Sequence, residues 1–338
     1  MGIYQTGLLG HGRSGIFMAT ASDFSRVIDG GVVALAGGVG GAKLALGLAR
    51  ILPADRLVIV VNTGDDESFH GLHVSPDLDT VMYTLAGLSD REKGWGLAGE
   101  TFNALEMLGR YGSDTWFNLG DRDLATHIRR NQLLQQGATL SEATADLCHH
   151  LGIAHRIVPM SDEPVRTMLD TDVGELPMQQ YFVQRLTEPR VSAVRYAGAE
   201  AALPSPEFQA ALERSKLLVF CPSNPFLSLD PIMAIPGVRE SLKSFTGRRV
   251  AVSPIIGGAA LRGPAAKIMS ELGHEVSSVG VARRFTDICD TFFIDDQDSD
   301  LSPAIAELGL KPVVAPIIMD SEADKVGLAQ RVLAAGAA

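Results

Sequence analysis

The chain has 338 residues, 46% of them hydrophobic and 20% charged, with a formal net charge of −11. Those totals describe a globular protein, either one large α/β domain with an insertion or two domains. A net acidic chain without a long basic run is not built to hold nucleic acid, and no stretch stays apolar long enough to span a bilayer. An acidic protein that binds anions must concentrate positive groups locally, or use backbone dipoles and metal. Cys148, Cys221 and Cys289 are scattered without metal-ligand spacing, which fits a reducing compartment and places the protein in the cytoplasm.

Residues 1–29 read as a flexible leader, or as a mis-assigned start with Met18 as the true beginning. They lack the apolar core and basic flank of a secretory signal. A buried strand follows at Val32-Val33-Ala34-Leu35-Ala36. It runs into Gly37-Gly38-Val39-Gly40-Gly41-Ala42-Lys43 and then a helical pattern through Leu44, Leu46, Leu48 and Leu52, closed by Pro53. Strand, glycine turn and helix N-terminus come in the order that a phosphate site needs. The alternative is that the glycines only make a tight turn. The motif is not a P-loop, because Ala42 precedes Lys43 and Leu44 follows it. It is not a dinucleotide fingerprint either, because Lys43 stands where the third glycine belongs.

A second strand at residues 56–61 completes a βαβ unit, whose ligands bind past the carboxyl ends of the strands. At that end stand Asn62-Thr63-Gly64-Asp65-Asp66, then Ser75-Pro76-Asp77-Leu78-Asp79-Thr80 and a helix from Val81. The aspartates either cap that helix or gather a cation. Oxygen-only ligands beside a phosphate site suit Mg²⁺.

Residues 85–151 read as mainly helical, with clear periodicity at 101–108 and 141–151. Gly120-Asp121-Arg122-Asp123 opens a helix between them. It is either a cap with an internal ion pair, or it puts Arg122 on a substrate phosphate or carboxylate. His127 reads as a helix-face residue rather than a base, and His149, His150 and His155 read as surface residues. Short strands are expected at 165–169 and 181–183, and a helix at 207–214. The sheet resumes at 216–220, ending in Cys221-Pro222-Ser223-Asn224-Pro225. It continues at 249–252, ending in Ser253-Pro254-Ile255-Ile256-Gly257-Gly258. Arg262 and Lys267 would add positive charge there. Further strands are expected at 276–279, 291–294 and 312–318. Asp295, Asp296, Asp298 and Asp300 read as a solvated loop, and the tail from Ala334 as frayed. The fold class is α/β: a Rossmann-like, mainly parallel sheet with helices on both faces. Its core spans residues 30–84 and 156–330, with a largely helical insertion at 85–155.

In this order the glycine turn, Asn62-Thr63-Gly64-Asp65-Asp66, Ser75-Pro76-Asp77-Leu78-Asp79-Thr80, Gly120-Asp121-Arg122-Asp123, Pro222-Ser223-Asn224-Pro225 and Ser253-Pro254-Ile255-Ile256-Gly257-Gly258 form a specific set. With them the chain resembles the 2-phospho-L-lactate transferase family of coenzyme F420 biosynthesis, over residues 31–297. The resemblance implies a Mg²⁺-dependent, usually dimeric enzyme with a Rossmann-like core and a smaller helical part. Its substrates would be the deazaflavin alcohol Fo and a guanosine diphosphate-linked three-carbon acid. The ribityl hydroxyl attacks the phosphorus bearing the acid, a phosphodiester forms, and GMP leaves. The acid, phospholactate, phosphoenolpyruvate or 3-phosphoglycerate, is left open.

Carried onto this chain, the nucleotide would be held by Gly37, Gly38, Gly40, Gly41 and Lys43, with Ser223, Asn224, Pro254, Gly257 and Gly258 on its other side. Asp65 and Asp79 would hold the metal. Asp77, Asp79 and Arg122 would bind Fo, and Asp66, Asp79 and Arg122 would serve the reaction. Asp79→Ala is expected to abolish turnover and leave the fold intact. The rival readings are a non-catalytic nucleotide-sugar-binding regulator of related fold and an NAD oxidoreductase.

Overall fold

Strand β1 (Val32–Ala36) is buried along its whole length. Val33 and Leu35 point into one core, and Val32, Ala34 and Ala36 into a second on the opposite face. Both sides of the strand are therefore covered, which is why its apolar run does not alternate with polar residues. In the computed structural model this strand lies near the middle of the sheet. The residues described are 30–337 without Arg91 and Arg262, so the leader expectation and Arg262 fall outside them.

Helix α1 (Gly38–Ala49) crosses to β2 (Leu57–Val61), which pairs with β1 in parallel. A hairpin, β3 (Glu67–Phe69) and β4 (Leu72–Val74), then leads to α2 (Pro76–Leu85). The hairpin turns on His70 and Gly71, both at positive φ. Helices α3 (Asn103–Arg110), α4 (Asp121–Gln135) and α5 (Leu140–His150) precede β5 (Arg156–Pro159). Leu140, Leu147 and Cys148 of α5 share the core of α1 and α2. An antiparallel sheet follows, β6 (Arg166–Thr171), β7 (Gly174–Pro177) and β8 (Val191–Ala197), in the order β7-β6-β8. After α6 (Pro206–Arg214) come β9 (Leu217–Phe220), β10 (Arg248–Val252) and the hairpin β11 (Ile255–Ile256) and β12 (Ala259–Ala260). Helices α7 (Ala265–Glu271) and α8 (Ser278–Ala282), β13 (Thr291–Ile294), β14 (Lys311–Val314) and α9 (Glu322–Ala337) complete the chain.

The large sheet has seven parallel strands in the order β14-β13-β10-β9-β1-β2-β5. The described chain enters the sheet near its middle, moves outward to β5, then returns to β9 beside β1 and moves outward the other way. Direction reverses between β1 and β9, so the crevice past their carboxyl ends is where such a sheet takes its ligand.

Five local expectations are corrected. Residues 181–183 lie in a π-helical turn (Gln180–Gln184), and the third strand of the small sheet is β8 instead. Residues 276–279 enter α8, because the Ser277 hydroxyl accepts from the Gly280 amide at 3.0 Å and caps a helix. The last strand stops at Val314, since Pro316 has no amide to give a ladder. The acidic run is not a solvated loop. Asp295 and Asp298 are buried, Asp295 accepting from the Ile317 amide at 3.1 Å and Asp298 from the Gly257 amide at 3.0 Å. The tail also departs from expectation: α9 runs to Ala337, with Leu333 and Gly336 buried.

Candidate active site at the switch point of the sheet

The glycine turn is built by close approach. Gly38 has φ +61°, a conformation costly for residues with a side chain. A Cβ on Gly40 would lie 2.2 Å from the Pro222 carbonyl oxygen, so only glycine lets α1 meet the loop after β9. That loop is tied back by one hydroxyl: Ser223 Oγ donates to the Gly37 carbonyl at 2.8 Å and accepts from the Gly37 amide at 3.2 Å. Helix α1 has no side-chain cap at Gly37 and no acid in its first turn. Its first amide, Gly38 N, instead donates to Asp77 Oδ1 at 2.7 Å. Asp77 thus caps α1 rather than the helix that carries it. Gly40→Ala should force α1 from the Pro222 loop, costing about 1–3 kcal/mol. The midpoint of thermal unfolding should fall by roughly 2–12 °C; an unchanged midpoint would show that this contact does not hold the turn.

Asn62 organises the carboxylates behind the turn. Its fully buried amide nitrogen lies 2.9 Å from Asp77 Oδ2, 3.3 Å from Asp65 Oδ1 and 3.2 Å from the Leu227 carbonyl. Its oxygen accepts from the Gly64 amide at 2.8 Å. Gln179 Nε2 donates to Asp65 Oδ2 at 3.3 Å. Burial, then the charges of Asp77 and Asp66, hold the Asp65 carboxyl well above the usual range. Burial pushes Asp77 up to about 6, against the hydrogen bonds from Asn62 and Gly38. Asp66 faces elsewhere: His73 Nε2 lies 2.8 Å from its Oδ2, and the Ser75 hydroxyl donates to its Oδ1 at 2.6 Å.

Helix α4 supplies a second cluster. His127 and Arg130 are its buried residues, an unusual face for a helix. Arg130 is wholly buried, with Nη1 on Asp79 Oδ2 at 3.2 Å and Nη2 on Asp79 Oδ1. Arg130 Nη1 is also 3.2 Å from His127 Nδ1. His127 Nε2 lies 3.3 Å from Asp123 Oδ2. The Tyr83 hydroxyl is 2.7 Å from both Asp123 Oδ1 and the Thr126 hydroxyl. Burial would raise the Asp123 carboxyl, but the neighbouring His127 ring, the Tyr83 hydroxyl and the Arg130 charge outweigh it and hold it below the usual value. Asp79, Asp123 and His127 each offer a ligand atom within 4.8 Å of the others, a grouping that could hold a metal ion.

The three residues of Asp121-Arg122-Asp123 diverge. Asp121 caps α3, accepting from the Ala104 amide at 2.9 Å. Arg122 turns outward and donates to the Ala98 carbonyl at 2.9 Å. Asp123 points inward, its place in the first turn of α4 held by Glu100, which accepts from the Asp123 amide at 2.8 Å.

The two clusters face one cavity of about 890 Å³. Gly37, Gly38, Gly40 and Lys43 line it from the turn, and Asp65, Asp77 and Asp79 from behind. Ser223, Asn224 and Pro254 close the opposite side. Of the other expected site residues, none lines it. Gly41 packs in the interior, where a Cβ would meet Ser223 Oγ at 2.8 Å. Asp66 and Arg122 point away as described. Gly257 and Gly258 form the turn between β11 and β12, at φ +57° and +76°. Lys267, expected to add charge, is held by Glu271 at 2.7 Å and donates to the Pro189 carbonyl at 2.7 Å. Sequence reasoning missed Asn62, Tyr83, Asp123, His127, Arg130 and Gln179 as site residues. The spacing of Asp123, His127 and Arg130, at i, i+4 and i+7, places them on one helical face and was the usable signal.

A doubly wound sheet with a glycine turn, a helix N-terminus and buried carboxylates at its switch point defines an α/β protein equipped for a phosphate-bearing ligand. A crystal structure of a UPF0052 family member from Bacillus halodurans has this fold, with TM-score 0.58 at 15% identity, covering 90% of this chain and 98% of that one. The chain belongs to the family described as 2-phospho-L-lactate transferase CofD, whose model matches residues 32–329. It is 40% identical over 304 residues to the 2-phospho-L-lactate transferase of Methanosarcina mazei, covering 90% of this chain and 100% of that protein. It is 38% identical over 310 residues to the phosphoenolpyruvate transferase of Kitasatospora aureofaciens, covering 90% and 97%. The chain is therefore a transferase of this family. No helix of the described residues is long and apolar enough to cross a membrane.

Proposed function

We propose that the protein transfers a phospholactyl or phosphoenolpyruvyl group from a guanosine diphosphate-linked donor to the deazaflavin Fo, forming F420-0 or its analogue and releasing GMP. The observation that carries this reading is that one cavity joins the N-terminus of α1 to the carboxylate face of α4. A diphosphate suits the first, whose amides and dipole favour anions. A hydroxylated acceptor suits the second. Trp95, Phe117 and Phe182 on the cavity wall offer flat apolar surface for a ring system. Transfer between two bound substrates asks mainly for positioning and charge neutralisation, so no nucleophilic side chain is required.

The metal in this reading is Mg²⁺. The donor chemistry at the glycine turn fits it: Asp65 and Asp77 are oxygen donors brought together on one amide, and burial holds both above their usual range. Asp79, the other expected ligand, has both oxygens on Arg130 and groups with Asp123 and His127 rather than with Asp65. When bound, the metal would neutralise charge on the transferring phosphoryl oxygens. The reading includes a homodimer in a reducing cytoplasm, supported for the compartment by three buried, free cysteines.

The test is incubation with Fo, Mg²⁺ and guanosine diphosphate-linked lactate, enolpyruvate or glycerate, followed by mass analysis. One donor should give a phosphodiester of Fo and GMP in equal amounts. No product from any donor would refute the reading.

A further inference from the structure

The cluster on α4 meets the distance condition for a metal site, yet it already contains a cation. Arg130 does not lose its proton in proteins, so a permanent positive charge sits buried against Asp79 and His127. We infer that Arg130 takes the place of a metal here, and that His127 and Asp123 together form a donor–acceptor pair for a hydroxyl of the acceptor substrate. This inference rests on the transferase reading for the identity of that substrate.

Arg130 sets the tautomer of His127. Arginine only donates, so Nδ1, 3.2 Å from Arg130 Nη1, must accept. The ring proton of the neutral imidazole then lies on Nε2. That nitrogen is buried and has no hydrogen-bond partner among the described residues, although Asp123 Oδ2 lies 3.3 Å away. A metal would need a lone pair from the ring. One lone pair is engaged by Arg130, and the other nitrogen carries the proton. A divalent ion would also stand against the guanidinium charge.

What the pair does offer is an N–H beside a carboxylate, on two residues of the cavity wall. A hydroxyl both donates and accepts, so it can give its proton to Asp123 and accept from His127 Nε2–H at once. Tyr83, 2.7 Å from Asp123 Oδ1, orients the carboxylate from behind. Arg130 is the positioning residue, acting through His127 and Asp79. The Arg130 guanidinium gives the pair its fixed direction, because its fork engages two partners at once.

The experiment has two readouts on the full-length protein. Mn²⁺ bound in place of Mg²⁺ is examined by pulsed electron paramagnetic resonance. The expected spectrum shows no histidine nitrogen coupling, and Mn²⁺ affinity should change less than twofold in His127→Gln. A nitrogen coupling that disappears in His127→Gln would overturn the inference. Separately, Fo binding is followed by its fluorescence. His127→Gln, which keeps an amide N–H donor, should retain Fo affinity within about fivefold, whereas Asp123→Asn and His127→Leu should each lose roughly 10–100-fold. Guanosine diphosphate affinity should stay unchanged in all three. Equal Fo affinity in wild type, Asp123→Asn and His127→Leu would also overturn it. If the wild type itself binds no Fo, the transferase reading fails instead, and the spectrum still decides whether His127 ligates metal.

Discussion

Asp79→Ala is expected to cost about 3–5 kcal/mol of stability, the loss seen when one partner of a buried ion pair is removed. Melting temperature should fall by roughly 5–15 °C. The cause is the residue left behind. Arg130 is fully buried on the inner face of α4, and both arms of its guanidinium rest on Asp79. Without that carboxylate the guanidinium loses its direct counter-ion, and it cannot neutralise by losing a proton. This corrects the expectation that Asp79→Ala abolishes turnover while leaving the fold untouched. Loss of activity in that variant would report instability together with chemistry. The double variant Asp79→Leu, Arg130→Met separates them. Replacing a buried pair by apolar groups is often neutral, so most of the stability should return while Fo binding does not. A melting temperature unchanged in Asp79→Ala would show that the pair does not hold α4 in place.

Mg²⁺ is expected to stabilise the protein more at pH 8 than at pH 5, and Asp65→Asn to remove most of that gain along with about 10²–10³-fold of turnover. The sign follows from the raised carboxyls of Asp65 and Asp77. A folded-state value above the unfolded one means that the folded protein holds more protons between the two. The contribution of these groups to stability is then full below about pH 4 and lost as pH rises through the folded values, near 6 for Asp77. A divalent cation replaces those protons, so its effect grows over the same range. At a hundredfold excess over its dissociation constant the gain is about 2.7 kcal/mol. Thermal melts with and without Mg²⁺ at the two pH values check this. Equal shifts at both, or an Asp65→Asn variant that still responds, would take Asp65 out of the metal site.

The β1–α1–β2 unit and the positions of β9, β10 and β13 were legible because parallel strands buried on both faces leave unbroken apolar runs, such as Leu57-Val58-Ile59-Val60-Val61. The glycine turn was legible for a similar local reason: unusual backbone needs glycine where it occurs. Side-chain direction was not legible. Asp121, Arg122 and Asp123 are consecutive, yet one caps α3, one meets solvent and one enters the cavity. Only the packing of α4 decides which. Gly257 and Gly258 resembled Gly37 and Gly38 in composition, but their neighbours form a hairpin rather than a strand-to-helix turn. Asp66 was quoted with Asp65, and the β3–β4 hairpin that brings His73 to it gave no strong periodic signal. Arg130 drew no site reading from the sequence, because a buried arginine is a rare event that its own spelling does not announce.

The tie between Ser223 and Gly37 has a consequence for the order in which this protein becomes competent. Its two partners are 186 residues apart in the chain. Contacts that distant form late, after much of the loop entropy between them has been overcome. During synthesis the ribosome therefore delivers the complete glycine turn long before Phe220 and the Ser223 loop exist to dock against it. The nascent chain carries the phosphate motif in full and has only half of the pocket wall that the motif requires.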